Sequence, residues 1–305
     1  MTGTAAAPAA SAERLARVGE VELCYETFGD SGDPTVLLVM GLGTQMIAWS
    51  EGFCALLVDR GFHVVRFDNR DVGRSTHLTS APPPTLLELL TRRPRRPAYT
   101  LADMARDAVG LLDHLGVRAA HAVGASMGGM IAQLMAADYG DRVLSLASIM
   151  SSTGALSSGQ PALRVYPYFM LPPPRSREAY VDRMVALYGV VGSPGFPSDE
   201  AHLRDVAGLS FDRGLNQAGT ARQLAAIFDS GSRVADLRRI SAPTVVIHGS
   251  ADRLVATSGG RATARAIRGA RLVLVEGMGH DLPRGAWPQI VEAIHRNATS
   301  AVGEA

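Results

Sequence analysis

The chain has 305 residues, of which 47% are hydrophobic, and a globular chain of this length buries a large core without disulfides or a structural metal ion. All 30 basic residues are arginine, which excludes a Schiff-base lysine, a lysine that anchors pyridoxal phosphate and the lysine of a P-loop. The two cysteines exclude a cysteine-rich zinc site, and a net charge of +1 with dispersed signs predicts no nucleic-acid partner.

Residues 1–18 are rich in alanine and predict a flexible tail, because they lack the basic start and the leucine-type apolar stretch of a signal peptide. An alanine-rich export signal is the alternative, and a cytoplasmic location is the default prediction. No apolar run approaches the ~18 residues that a membrane helix needs, so no membrane span is predicted. The run RRPRRP at 92–97 predicts a solvated loop, with an anionic partner as the alternative.

Short apolar runs alternate with segments of helical periodicity over most of the chain. Continuous runs such as TVLLVM are typical of strands that are buried on both faces. The predicted strands are 21–28, 35–40, 63–67, 119–123, 143–150, 244–248 and 271–275. The predicted helices between them are 49–60, 101–115, 127–139, 258–267 and 287–297. This alternation predicts an α/β fold with a mostly parallel, doubly wound sheet.

Residues 151–240 interrupt the alternation with helical pieces and Pro/Gly-rich loops, and they contain no convincing strand. The predicted organisation is a core of 19–150 and 241–305 with a helical cap of 151–240 over the carboxyl edge of the sheet, where ligands bind in such folds. The aromatic and methionine side chains of this segment either roof a ligand pocket or pack the cap itself. Phe169 is the candidate substrate-binding residue among them.

Residues 124–128 (GASMG) fit the pattern G-x-S-x-G and lie between a predicted strand and a predicted helix, which is the context that this motif needs. A sharp strand-to-helix turn exposes the serine, and the following helix points its N-terminus at the site. Ser126 is therefore the predicted nucleophile.

A serine nucleophile needs a base that a third group holds in place. His280 follows the last predicted strand and is the candidate base, and Asp252 follows the preceding strand and is the candidate acid. Asp281 and Glu276 are the alternative acids. His248 is predicted to be structural, although it ends a strand near the site, and His77 is a weaker pocket candidate.

An oxyanion hole needs two backbone donors, and the predicted pair is the N–H groups of Met127 and Leu42. Leu42 lies in the loop after TVLLVM, where glycines permit a tight turn. Gly41 is a further candidate substrate-binding residue. Gln45 and Trp49 follow closely and either line the pocket or pack beneath it.

From residue 21 to residue 300 the chain resembles the α/β-hydrolase superfamily, in the pieces VLLVMGLG, FDNRDVGRST, GASMGG, HGSADRLV and GMGHDLP. The oxyanion loop MGLG and the stretch GTARQLAAIFDSGSRVADLRRISAPTVVIHG resemble actinobacterial carboxylesterases related to aclacinomycin methylesterase. Arg70, Gly73 and Ser75 of the second piece are predicted to be structural. Met40 departs from the family, since a histidine often precedes the glycine of the oxyanion loop.

The resemblance implies hydrolysis of a small-molecule carboxylic ester through an acyl-enzyme, with no cofactor and no metal. Lactone opening, C–C bond hydrolysis or cofactor-free perhydrolysis by the same triad is the alternative, because these reactions reuse the same parts with a different pocket. A non-catalytic ligand-binding protein of the same fold is the third hypothesis. The sequence is compatible with a homodimer and contains no pattern that decides the oligomeric state.

Overall fold

A computed structural model describes residues 10–170 and 174–300, without the side chains of residues 169 and 170. Its centre is one sheet of eight strands in the order β1-β2-β4-β3-β5-β6-β7-β8. The strands β2–β1 and β2–β4 pair antiparallel, and the strands from β4 to β8 pair parallel. The strands are β1 (Arg14–Val18), β2 (Val21–Phe28), β3 (Thr35–Val39), β4 (His63–Phe67), β5 (Ala120–Ala125), β6 (Val143–Ile149), β7 (Thr244–Gly249) and β8 (Arg271–Val275).

Helices cover both faces of this sheet, which explains why the central strands are buried along their whole length and mostly apolar. The helices are α1 (Glu51–Val58), α2 (Leu86–Thr91), α3 (Leu101–His114), α4 (Met127–Asp138), α5 (Tyr166–Met170), α6 (Arg177–Val191), α7 (Glu200–Asp212), α8 (Gln217–Ser230), α9 (Val234–Leu237), α10 (Thr257–Ala266) and α11 (Trp287–Ser300). The sequence prediction placed the long helices of the core and missed α2, α5 and α9.

The core consists of two apolar layers, one on each face of the sheet. Strand β3 shows how one run of residues serves both layers. Leu37 and Val39 pack with residues of α3 and α4, and Val36 and Leu38 pack with residues of α1 and α11. Because successive side chains of a strand point to opposite faces, a continuous apolar run is what a two-sided core requires.

The predicted flexible tail of residues 1–18 is wrong from Arg14 onward, and residues 1–9 lie outside the described part. Arg14–Val18 forms the edge strand β1 and pairs with β2 through a two-residue turn of Gly19 and Glu20. Gly19 has φ +57°, a conformation that glycine adopts without strain. The alternation of RLARV before a Gly-x turn is the signal that predicts such a hairpin.

Between β6 and β7 the described residues form helices and loops and no strand, in the segment predicted as a cap. Two buried ion pairs join this segment to the loop after β4. Arg213 contacts Asp68 at 2.9 Å, and Arg222 contacts Asp71 at 2.7 Å. Both aspartates are fully buried, so breaking either ion pair would leave a buried charge without its partner. The free-energy cost of this keeps the segment attached to the core.

His121 on β5 makes folding sensitive to acid. Its ring is buried, and Nδ1 lies 2.9 Å from the Ser145 hydroxyl oxygen. Burial lowers the pKa of His121 from 6.5 to about 4, so the unfolded chain binds a proton there at a pH at which the folded chain does not. Stability from this group is therefore complete above pH 6.5 and declines as the pH falls toward 4.

We expect His121→Gln to remove this part of the acid sensitivity. Each pH unit inside the window is worth at most about 1.4 kcal/mol and less close to pH 6.5, so the free energy of unfolding should fall by about 1.5 kcal/mol less between pH 6.5 and pH 5 in the variant. Urea unfolding at the two pH values measures this difference. His114→Gln, at an exposed position on α3, is the control, and an unchanged pH slope in His121→Gln would contradict the assignment.

Candidate active site

Ser126 lies at the sharp turn between β5 and α4. Its backbone has φ 56° and ψ −119°, which is a strained conformation for a residue with a side chain. The flanking glycines make the turn possible. A Cβ on Gly124 would lie 2.1 Å from the Gly128 carbonyl oxygen, and a Cβ on Gly128 would lie 2.0 Å from the Val39 carbonyl oxygen. The two glycines of the motif are therefore required by two close backbone contacts, and these contacts hold the serine above the sheet.

The structure brings Ser126, His280 and Asp252 together at the carboxyl edge of the sheet. The Nε2 atom of His280 lies 3.0 Å from the hydroxyl oxygen of Ser126, and its Nδ1 lies 2.8 Å from Oδ2 of Asp252. Ser126 is half-buried, whereas His280 and Asp252 are 9% and 7% exposed. These distances are those of a nucleophile, a base and the group that orients the base.

Asp252 is held as a carboxylate. Although burial alone raises its pKa, the charge of His280 and hydrogen bonds from His248 and His280 bring the pKa of Asp252 well below its usual range. Its other oxygen, Oδ1, accepts the backbone N–H groups of Leu254 and Val255, both at 2.9 Å. An ionised, fixed carboxylate selects the imidazole tautomer that leaves Nε2 free to accept the serine proton.

The alternative candidates have other surroundings. The carboxylate of Asp281 accepts a hydrogen bond from Ser193, and Glu276 is exposed. His77 lies 3.0 Å from the Gly73 carbonyl oxygen through Nε2, within its own loop. His248 is fully buried and contacts Asp252 itself at 3.4 Å. Among these alternatives only His248 touches the group of three.

The predicted oxyanion loop lies against the serine. A Cβ on Gly41 would be 3.2 Å from the Ser126 Cβ and 3.7 Å from its hydroxyl oxygen. Neither the Leu42 amide nor the Met127 amide donates to an acceptor in the described part of the chain. Met127 is the first residue of α4, where backbone N–H groups have no partner within the helix. Two free donors beside a serine are the arrangement that an acyl-transfer site needs.

Comparisons with known proteins concern the fold and the enzyme class. A family model described as the alpha/beta hydrolase fold matches residues 34–183. The chain is 29% identical to rhodomycin D methylesterase DnrP of Streptomyces peucetius over 94% of this chain and 98% of that protein. It is 27% identical to 3-oxoadipate enol-lactonase 2 of Acinetobacter baylyi over 79% and 80% of the two chains. The structure of a hydrolase from Pseudomonas aeruginosa PA01 superimposes with a TM-score of 0.69 at 24% identity, over 96% of this chain and 98% of that one.

The chain has the α/β-hydrolase fold. The predicted family resemblance and fold class are confirmed, and so is the predicted enzyme class, a carboxylic ester hydrolase. No helix of the described residues has the length and apolar character that crossing a bilayer requires.

Two of the candidate substrate-binding residues of this α/β-hydrolase have a different role. Trp49 is 0% exposed in the apolar layer of α1 and α11, so it has no surface that a ligand could touch. Gln45 is 3% exposed; its amide nitrogen donates to the carbonyl oxygens of Ser210 and Gly214, and its amide oxygen accepts from Arg213. The prediction that these two side chains line the pocket is wrong, and the packing interpretation holds. Phe169 lies in α5, and its side chain is outside the described part.

Sequence reasoning missed the residues that hold the oxyanion loop in place. Asn69 donates its side-chain N–H to the Met40 carbonyl oxygen at 2.9 Å. The Gln223 side chain bridges two loops, because its oxygen accepts the Gly43 N–H at 2.8 Å and its nitrogen donates to the Arg70 carbonyl oxygen at 2.8 Å. Asn69 lies inside the family piece FDNRDVGRST, which is the signal that could have pointed to it.

The rest of that piece is structural, as predicted. Arg70 forms an ion pair with Asp107. A Cβ on Gly73 would lie 2.2 Å from a carboxylate oxygen of Asp68, and the Ser75 hydroxyl donates to the Asp68 carbonyl oxygen at 2.6 Å. None of these three residues has a contact with the Ser126, His280 and Asp252 side chains.

Residues 191–195, named here the strap, connect the inserted segment to the loop of His280. The backbone N–H of His280 donates to the Val191 carbonyl oxygen at 2.7 Å, and the Gly195 N–H donates to the Gly277 carbonyl oxygen at 2.9 Å. The Ser193 hydroxyl donates to Asp281 and accepts the Gly279 N–H. The strap therefore holds the backbone on both sides of the histidine.

We expect Ser193→Ala to lower kcat about 10- to 100-fold with little change in KM, since displacing a catalytic group by about 1 Å costs on the order of 10²-fold. The variant also leaves the half-buried Asp281 carboxylate without its hydroxyl partner. Steady-state kinetics measure the split between kcat and KM. Ser176→Ala, which removes the N-cap of α6 at the far end of the same helix, is the control for stability. A wild-type kcat in Ser193→Ala would show that the strap does not position His280.

Proposed function

We propose that this ester hydrolase cleaves carboxylic esters through an acyl-enzyme on Ser126. The observation that carries the proposal is the continuous line of contacts from Asp252 through His280 to Ser126, at 2.8 and 3.0 Å. His280 takes the proton of the Ser126 hydroxyl as that oxygen attacks the ester carbonyl. Asp252 stabilises the imidazolium that forms.

The amides of Leu42 and Met127 are the proposed donors to the oxyanion of the tetrahedral intermediate. His280 then protonates the leaving alcohol, and the acyl group stays on Ser126. In the second half, His280 activates a water molecule, and hydrolysis of the acyl-enzyme restores the free serine. Every step uses groups of this chain and water.

The proposed substrates are small or natural-product esters, with methyl esters first. This proposal is supported by the relative named rhodomycin D methylesterase, which aligns with nearly the whole chain. Hydrolysis of a lactone is the second candidate, because a relative named 3-oxoadipate enol-lactonase 2 aligns over 79% of the chain. We further propose that residues 151–240 act as a cap over residues 19–150 and 241–305, and that the cap selects the substrate.

A chain-length series of p-nitrophenyl esters, compared between wild type and Ser126→Ala, tests the ester proposal. Activity on short chains that is lost in the variant supports a serine esterase. Aromatic methyl esters and a series of lactones, with products analysed by mass spectrometry, then separate the two substrate classes. Absence of turnover on every ester and lactone would contradict both.

The cytoplasmic location and the homodimer stay predictions.

A further inference from the structure

The side chain of His248, near the end of β7, is fully buried against the proposed catalytic acid. Its Nε2 lies 2.8 Å from the Val255 carbonyl oxygen and 3.4 Å from Oδ2 of Asp252. Both acceptors face the same nitrogen. The buried imidazole of His248 therefore contacts the proposed acid Asp252 and has no hydrogen bond to the proposed nucleophile Ser126.

These contacts determine which nitrogen of His248 carries the proton. A carbonyl oxygen only accepts hydrogen bonds, so Nε2 must be the N–H donor. The other ring nitrogen, Nδ1, is buried and has no partner among the described residues. The Nε2–H tautomer satisfies these contacts: its N–H donates to the Val255 carbonyl oxygen and points its positive end near Oδ2 of Asp252.

The hydrogen bonds of Asp252 are then fully accounted for. Two backbone amides, those of Leu254 and Val255, hold Oδ1. The imidazole of His280 donates to Oδ2 at 2.8 Å, and Nε2 of His248 lies 3.4 Å from the same oxygen. The carboxylate is thus bound on both oxygens, and rotation about its side-chain bonds would break at least two of these contacts. Oδ2, the oxygen that faces His280, therefore also faces His248.

Helix α10 leaves space for this imidazole. A Cβ on Gly260 would lie 2.5 Å from Nδ1 of His248 and 2.8 Å from its Cγ. Since glycine is a poor helix former, its presence inside α10 has a steric reason. The glycine in α10 therefore provides the space that the histidine of β7 occupies.

We propose that His248 is a positioning residue that aims Asp252 at His280 through its Nε2–H. This inference rests on the proposed function, because it assigns a role relative to the triad of Ser126, His280 and Asp252. His248 does not contact the substrate. Its contribution is to keep one carboxylate orientation, and with it one orientation of the catalytic imidazole, through the reaction cycle.

The test compares His248→Gln with His248→Met. The two replacements have similar length, but only glutamine places an N–H group where Nε2 lies. We expect His248→Met to lower kcat on a p-nitrophenyl ester on the order of tenfold with KM within about twofold, because catalysis suffers from loss of orientation and ground-state binding does not. We expect His248→Gln to restore kcat to within about threefold of wild type. Equal loss in both variants, or no loss in His248→Met, would overturn the proposal.

A second variant keeps the test independent of how well methionine packs. Gly260→Ala keeps the histidine but adds a methyl group at 2.5 Å from its ring, which must displace the ring, so we expect it to lower kcat while the helix stays intact. In a His248→Met background the same change should have no further effect on kcat. A normal kcat in Gly260→Ala with folding retained would count against the proposal.

Labelling with a fluorophosphonate separates failure of this inference from failure of the proposed function. The reagent reacts with an activated serine whatever the natural substrate is. If wild type is not labelled at Ser126, the triad itself is wrong. If wild type is labelled and His248→Met is labelled at the same rate, the triad stands and the role of His248 is wrong. Slower labelling of His248→Met, restored in His248→Gln, supports both.

Discussion

We expect Ser126→Ala to lose roughly 10⁴-fold or more in turnover while it keeps the fold. The hydroxyl oxygen of Ser126 is the only atom of the proposed site that forms the acyl bond, so no neighbouring side chain replaces it. Alanine also removes no contact of the core, because the serine side chain is half-buried and its single side-chain partner is His280. Hydrolysis of p-nitrophenyl esters over a range of chain lengths measures the loss.

The exposed Ser80→Ala provides a control for serine replacement in general. Circular dichroism and urea unfolding check that Ser126→Ala is folded. We expect Ser126→Ala to be no less stable than wild type. The backbone strain at residue 126 belongs to the turn, so removing the hydroxyl does not change it. A folded Ser126→Ala protein with most of the wild-type activity would remove the nucleophile assignment.

We expect Arg222→Met to destabilise the protein by about 3–5 kcal/mol, the usual cost of leaving one member of a buried ion pair alone. Arg222 contacts both oxygens of Asp71, at 2.7 and 2.8 Å, and both side chains are almost completely buried. Although burial alone raises the pKa of Asp71, hydrogen bonds from Arg222, the Leu78 amide and Tyr99 lower it. Without Arg222 the protein must either bury an unpaired charge or protonate the carboxyl group.

The midpoint of urea unfolding measures this change, and Arg177→Met is the matched control. Arg177 pairs with Asp212 on the surface of the same inserted segment, with both side chains about half exposed. Exposed pairs of this kind contribute at most about 1 kcal/mol. The loss in Arg222→Met should shrink below the ordinary pKa of an aspartate, because the unfolded state then also carries a neutral carboxyl group. Equal midpoints for the two variants would contradict the conclusion that the buried Arg222–Asp71 pair stabilises the fold more than an exposed pair does.

The pair Arg222–Asp71 also explains how the inserted segment reaches the site. The two residues are 151 positions apart in the chain, and Gln223, the next residue of α8, binds the oxyanion loop through Gly43. The strap holds the loop of His280 on the other side. The Ala162 N–H of the same segment donates to the Arg253 carbonyl oxygen, next to Asp252, at 2.8 Å. The segment predicted as a cap therefore contacts the predicted oxyanion loop, the loop of His280 and the loop of Asp252.

The pattern of the core strands and the position of the elbow were readable from sequence because they follow from local constraints. A strand that is buried on both faces is mostly apolar, as TVLLV is, and a backbone that passes within 2.1 Å of a Cβ position admits only glycine there, as at Gly124. Short-range hairpin geometry was equally available at Gly19, although the sequence interpretation placed that region in a flexible tail.

The sequence by itself determined the alternation of strands and helices, the turn at Ser126 and the choice of Ser126, Asp252 and His280 as three residues that meet at one site. Only the tertiary structure decided that Trp49 and Gln45 are packed away, that Ser193 supports the loop of His280, and that His248 touches Asp252. The physical reason is the range of the interaction. A steric constraint between near neighbours restricts which residue types can occupy a position. A contact between distant residues uses common serine, glutamine or histidine side chains, and the sequence does not show which residue they contact.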